Sequence, residues 1–163
     1  MHPLLRARSQ AYVVDSLVHL AVPIALVPVG LLVRRHHRRL DLRLIHALSA
    51  LPPVAATLLA GAQDSRSGTW GHRWQGLVVR TTDGHVPGFG RALLRNTVKV
   101  GIPWQLGHVV AIGAATGRLD RHHPWIIAAS AVVYLWMAAA VAAVSLKSGR
   151  ALHDRAASTE VDR

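Results

Sequence analysis

Apolar positions in this chain come in long, nearly unbroken runs, without strict alternation and without a polar stripe. Four runs are long enough to cross a bilayer, which takes ~20 helical residues. They cover residues 11–33, 44–62, 97–116 and 124–146. A helix of a soluble bundle carries polar residues on one face throughout its length, and the fourth run has no such face. The third is the most polar, with Lys99, Gln105 and His108 inside it. Backbone groups have no water to bond in lipid, so all four runs are predicted as helices. Pro23 and Pro28 in the first run, Pro52 and Pro53 in the second and Pro103 in the third each remove a backbone donor. Kinks are predicted there, as packing shape or as hinges.

The first run is too long for the apolar core of a signal peptide, holds Asp15 and His19, and ends in Arg34-Arg35 without a small-residue cleavage site. The expectation is a chain that stays anchored. Between the second and third runs lies a longer connection, residues 63–96. Within it, residues 74–82 read as a short strand, Asp83-Gly84 as a hairpin-type turn, and residues 86–95 as an amphipathic approach to the third run. The tail, from residue 147, is charged, with one amphipathic turn around Leu152. The predicted fold class is therefore all-α: a polytopic membrane protein with four transmembrane helices and a short hairpin-like cytoplasmic connection between helices 2 and 3. The 163 residues make one domain.

Charge sets the orientation. The chain holds 19 Lys and Arg against 8 Asp and Glu. That excess does not mean nucleic acid here, because 51% of the residues are hydrophobic. With four spans, the N-terminus, the long connection and the tail share one side, and that side carries 12 basic residues, counting Lys99, against 7 on the other. The positive-inside rule then puts both termini in the cytoplasm. Loop one, residues 34–43, pulls the other way with five arginines in ten residues. Those arginines are either solvated or set against anionic headgroups.

The candidate chemistry lies in charges within or beside the runs. Asp15 sits about one turn inside the first. Arg8 shares its helix face, but both side chains lean toward the N-terminus, so a bond between them within the helix is not expected. Asp15 needs a partner from another helix, and Arg95 and Lys99, four residues apart at the start of the third run, are the candidates. His19 follows Asp15 by four residues, which permits a carboxylate–imidazole pair able to pass a proton. His46 and His108 extend that relay, or simply bond a neighbouring backbone or hydroxyl. Neither His36-His37 nor His122-His123 has metal-ligand spacing, zero cysteines exclude thiolate sites, and no common hydrolase or nucleotide signature occurs. No cofactor, metal or enzymatic activity is expected. Gly113 and Gly117, with Ala138/Ala142 and Ala139/Ala143, offer small faces for packing within the chain or between copies.

These residues resemble the RDD family of small bacterial membrane proteins, over nearly the whole chain. The family pattern opens with R-x-x-A-x-x-x-D, here Arg8 through Ala11 to Asp15. It continues before the third span with a G-x-T-x-G-K segment, a G-L-x-V strand, an acidic-Gly turn and L-L-R. The matching residues here are Gly68-Thr69-Trp70-Gly71-His72-Arg73, Gly76-Leu77-Val78-Val79, Asp83-Gly84 and Leu93-Leu94-Arg95. The ending H-D-R-x-x-x-T-x-V matches from His153-Asp154-Arg155 to Val161. One departure is that His72 stands where the pattern has Lys, with Arg73 beside it. By this resemblance Arg8, Asp15 and Asp154 are the name-giving positions. Two roles are open from these residues, and the resemblance is compatible with both. One is cation/proton or small-solute transport, with Asp15 as the proton or cation site, His19 as relay and Arg8, Arg95 or Lys99 as counter-charges. The other is an accessory or assembly protein in which Arg8, Asp15 and Asp154 form a structural ion network. The expected partners are the lipid bilayer and either a second copy or a larger membrane complex.

Overall fold

The computed structural model describes residues 4–36, 41–118, 121–145 and 149–163. His37, Arg38 and Arg39 of loop one and Leu146 of the fourth run lie outside them. The chain is mostly helical. Helix α1 spans Leu5–His36 and runs through Pro23 and Pro28. The second run is two helices, α2 (Leu42–Ser49) and α3 (Leu51–Asp64). They break at Ala50, just before Pro52 and Pro53, whose missing N–H groups are tolerated in the first turn of a new helix. Asp41 caps α2 by accepting the Arg43 N–H at 3.0 Å.

After a short helix α4 (Trp70–Trp74) and strand β1 (Val78–Thr81), an amphipathic helix α5 (Phe89–Asn96) leads into a π turn at Thr97–Gly101 and then α6 (Ile102–Ala115). Pro103 explains the π turn. It has no N–H to return to the carbonyl of Lys99, so the regular ladder fails at that point and the chain bulges. Helix α7 (Pro124–Ser145) follows, then a short α8 (Leu152–Ala156) and strand β2 (Thr159–Asp162).

Among the described residues, three helical stretches are long and apolar enough to cross a membrane: Leu5–Leu32, Leu42–Asp64 and Pro124–Ala143. The third predicted run is present as the π turn and α6, and α6 alone has 14 residues.

The mostly helical content agrees with the all-α expectation, and the two short strands correct the hairpin. The turn at Asp83-Gly84 forms, with Gly84 at φ +86° and the Thr81 N–H donating to the His85 carbonyl at 2.8 Å. The chain after it does not return as a strand. β1 pairs antiparallel with β2 from the tail, Val79 opposite Val161 and Arg80 opposite Glu160. The strand is also shorter than residues 74–82, because Trp74 closes α4. The inward side chains of this ribbon, Val79 and Val161, join Leu77, Ala7 and Ala11 in a small apolar cluster at the base of α1.

Helix contacts rest on small residues. A Cβ on Gly71 would lie 2.0 Å from the Ala11 carbonyl oxygen, so α4 crosses α1 at backbone distance. A Cβ on Gly113 would meet the Ile126 side chain at 2.7 Å, which assigns that glycine to packing of α6 on α7 within the chain. Elsewhere α1 and α7 turn large apolar side chains outward, among them Leu17, Ile24, Tyr134, Leu135 and Val141.

Candidate functional site

The interior at one end of the bundle is made of charges. Arg95 is the largest fully buried side chain and sits on the inward face of α5. Its Nε donates to Asp154 Oδ1 at 3.0 Å and its Nη1 to Asp64 Oδ2 at 2.6 Å. Asp154 also accepts from Arg8 of α1, in a short charge-assisted hydrogen bond. The same Asp154 oxygen caps α8 by accepting the Ala151 N–H at 3.0 Å. Arg8 sends its other terminal nitrogen to the Gly149 carbonyl at 2.6 Å. The order Arg8–Asp154–Arg95–Asp64 thus ties α1, the tail, α5 and the end of α3 together.

Asp64 was not singled out from the sequence, and it is central. It lies at the C-terminal end of α3, where the helix dipole disfavours an anion, and only fixed donors make it stable there. Besides Arg95 it accepts the Asn96 amide at 2.9 Å, the Thr69 N–H at 3.3 Å, and faces His72 Nδ1 at 3.3 Å.

Asp15 forms a second, adjoining cluster. It is buried at 3% exposure and points at the start of α4. Its Oδ2 accepts the Thr69 hydroxyl at 2.7 Å and its Oδ1 the Gly71 N–H at 2.8 Å. Lys99 lies 3.7 Å away. Of the two candidate counter-charges, Lys99 is therefore the one that reaches Asp15, and Arg95 serves Asp64 and Asp154 instead. Thr69 and Gly71 give the glycine-threonine segment a physical role. The hydroxyl and the bare backbone N–H together seat one carboxylate.

His19 is buried beside Asp15, but no hydrogen bond joins the two among the described residues. Its ring meets Trp104 edge-on at 5.8 Å. No hydrogen bond links it to His46 or His108 either, and His108 Nδ1 is buried without a hydrogen-bond partner. No group of three or more His, Cys, Asp or Glu among the described residues is arranged to hold a metal ion.

Outside the spans, burial works against the charge of Asp154, but Arg95, then His153 and Arg8, hold its carboxyl well below the usual range. Burial keeps His72 and His153 below the ordinary imidazole value; for His153 the cation Arg95 adds to the effect, and for His72 the Asp64 hydrogen bond opposes it. Both imidazoles are therefore neutral near pH 7. Counted with them neutral, the interior among the described residues balances three aspartates, at 15, 64 and 154, with three cations, at 8, 95 and 99.

Beside this network a cleft of about 360 Å³ runs between the start of α1 and the end of α7. Its inner end is lined by Arg8, Arg95, Lys99 and His153, its outer walls by Val13, Met137 and Val141.

No curated protein and no solved structure is significantly similar to the chain. A family-level pattern is: the RDD family matches residues 3–158, from before Arg8 to beyond Asp154. With apolar helices of spanning length around a buried Arg–Asp network, this chain is a membrane protein that belongs to the RDD family.

Proposed function

We propose that the chain is a non-transporting, non-enzymatic accessory or assembly protein of a membrane complex, with four passes through a bacterial inner membrane and both termini cytoplasmic. The observation that carries this reading is the state of its acids. Asp15, Asp64 and Asp154 are all buried, and each has its oxygens occupied by fixed protein donors. A carried cation would have to displace Thr69, Gly71 and Lys99 from Asp15. Breaking such a buried pair from one side costs ~3–5 kcal/mol, which suits a permanent brace rather than a cycling site.

Four passes are supported by which residues meet. Arg8 precedes the first apolar run, Asp64 closes the second, Arg95 precedes the third and Asp154 follows the fourth, and all four converge at one end. Residues 97–115 rise about 28 Å as a helix, close to the ~30 Å of a hydrocarbon core. The excess of Lys and Arg on the network side favours the cytoplasm. Cysteines introduced at the exposed Ser67 and Ser158 should both be labelled from the cytoplasmic side; labelling from the periplasm reverses the orientation.

Flux and stability measured on the same protein test the role. Wild-type proteoliposomes should carry no proton or monovalent-cation flux over a range of pH. Asp15→Asn should lower the melting temperature, and adding Lys99→Gln should restore part of it by removing the stranded cation. The second reading, transport through Asp15 with His19 as relay, draws on Lys99 bordering both Asp15 and the cleft. Flux in the wild type that Asp15→Asn abolishes without loss of stability would replace the first reading with this one.

A further inference from the structure

Lys99 is an unusual member of the network. Its side chain is 92% buried, yet among the described residues its ammonium makes no hydrogen bond. It has only the 3.7 Å approach to Asp15 and a position 5.8 Å from the centre of the Tyr12 ring. An ammonium carries three N–H donors, and leaving them unmet in a buried place is costly. Lys99 lines the cleft between α1 and α7, so its open donors border that space. Arg8, Arg95 and His153 line the same inner end, and no Asp or Glu lines the cleft among the described residues. The other cations are committed: Arg95 to Asp64 and Asp154, Arg8 to Asp154 and Gly149. Lys99 is the cation of the cleft that still has donors to offer.

The rest of the cleft has the opposite character. Its walls are apolar side chains of α1 and of the last turns of α7, including Val13, Met137 and Val141, each more than half exposed. Trp136 lies on the same wall. The cleft begins beside the network and reaches Trp136 and Met137 near the middle of α7. A basic inner end with an apolar, laterally open wall fits a molecule with an anionic head and a hydrocarbon tail.

We propose that this cleft binds one anionic phospholipid of the surrounding bilayer, its phosphate oxygens accepting from the Lys99 ammonium and its acyl chain lying along Met137 and Val141. The assignment is independent of whether the chain transports or braces.

Native mass spectrometry of the full chain in detergent tests it. Delipidated protein is titrated with phosphatidylglycerol and with phosphatidylcholine of the same acyl chains. One phosphatidylglycerol should bind at least about fivefold more tightly than phosphatidylcholine, the preference that one basic contact confers. Lys99→Arg should keep that preference and Lys99→Gln should lose it. Ala140→Phe fills the cleft from α7 without touching an ion pair, and should remove the bound lipid while leaving the melting temperature near that of the wild type. Equal binding of the two lipids, or unchanged binding in Ala140→Phe, overturns the proposal. So does displacement of the lipid by millimolar inorganic phosphate, because the site would then recognise a free anion without its tail. Flux measurements do not enter this test, so its failure is distinct from failure of the accessory role.

Discussion

At the residue scale, the site depends as much on what is missing from Gly71 as on the charges around it. Any side chain there would run into the Ala11 carbonyl, 2.0 Å from the new Cβ, and the backbone cannot yield without pulling the Gly71 N–H off Asp15. Gly71→Ala should therefore cost at least about 3 kcal/mol, at the upper end of overpacking penalties, read as a lowered unfolding midpoint in detergent. Gly90→Ala, also on a helix but facing open space, should be neutral or stabilising by less than ~1 kcal/mol. Asp64→Asn should cost more than either, because it leaves Arg95 buried with one anion in place of two; ~3–5 kcal/mol is expected. Half of this chemistry was legible in the sequence. An acid inside an apolar run demands a partner, and that argument leads from Asp15 to Lys99. Asp64 gave no such signal: at the end of a run beside Gln63 and Ser65 it reads as a solvated helix terminus. Its partners come from segments 5 to 32 residues distant in sequence, and only the fold brings them together. His72 looked like a departure from a family pattern; in place it is an uncharged neighbour of Asp64, which keeps the interior neutral.

At the level of elements, the apolar runs and prolines were readable because both act locally. Pro52-Pro53 restarts a helix and Pro103 forces a π turn, each through a missing N–H. The π turn in turn rotates Lys99 relative to Arg95, so that residues four apart face different aspartates. Strand pairing is not local, and local signals do not reveal it. Asp83-Gly84 is a sound hairpin signal, yet β1 pairs with a tail segment about eighty residues away, whose four residues are too short and too charged to stand out as a strand. The tail is thus a structural element, fixed twice, by Asp154 to Arg8 and Arg95 and by β2 to β1. Deleting residues 159–163 removes the ladder and uncovers Val79 and Leu77. Loss of the Val161 burial alone is worth up to ~1.5–3 kcal/mol. The shortened chain should melt earlier and be cut by trypsin at Arg80, on the strand left unpaired; resistance at Arg80 equal to that of the full chain would show that the ribbon does not depend on β2.

The molecule as a whole is inverted relative to a water-soluble bundle: its largest fully buried side chains include Arg95, Asn96, Thr69, Asp64 and Asp154, while leucines, valines and isoleucines cover the outside. Lipid holds the outside, and electrostatics holds one end of the inside. Stability of that end must then follow pH, and the sign can be worked out. His72 and His153 have folded pKa values depressed below the ordinary 6.5. His72 faces Asp64, Arg95 and Lys99; His153 faces Asp154, Arg95, Lys99 and Arg8. Below about pH 6.5 the unfolded chain binds protons on these rings that the folded chain does not. Acid therefore favours unfolding, with a slope of up to ~1.4 kcal/mol per pH unit for each ring, until the folded rings protonate too. Asp154 acts in a separate, lower window. Its folded pKa is depressed, so its contribution is complete above about pH 4 and is lost as pH falls through the folded value. Unfolding midpoints in neutral detergent should thus be nearly flat from pH 8 to 7, fall from about 6.5 downward, and fall again below about 4. His153→Gln, which cannot protonate, should remove about half of the first decline and leave the second in place. A first decline that is undiminished in His153→Gln would mean that this ring titrates freely and that the network end is open to water.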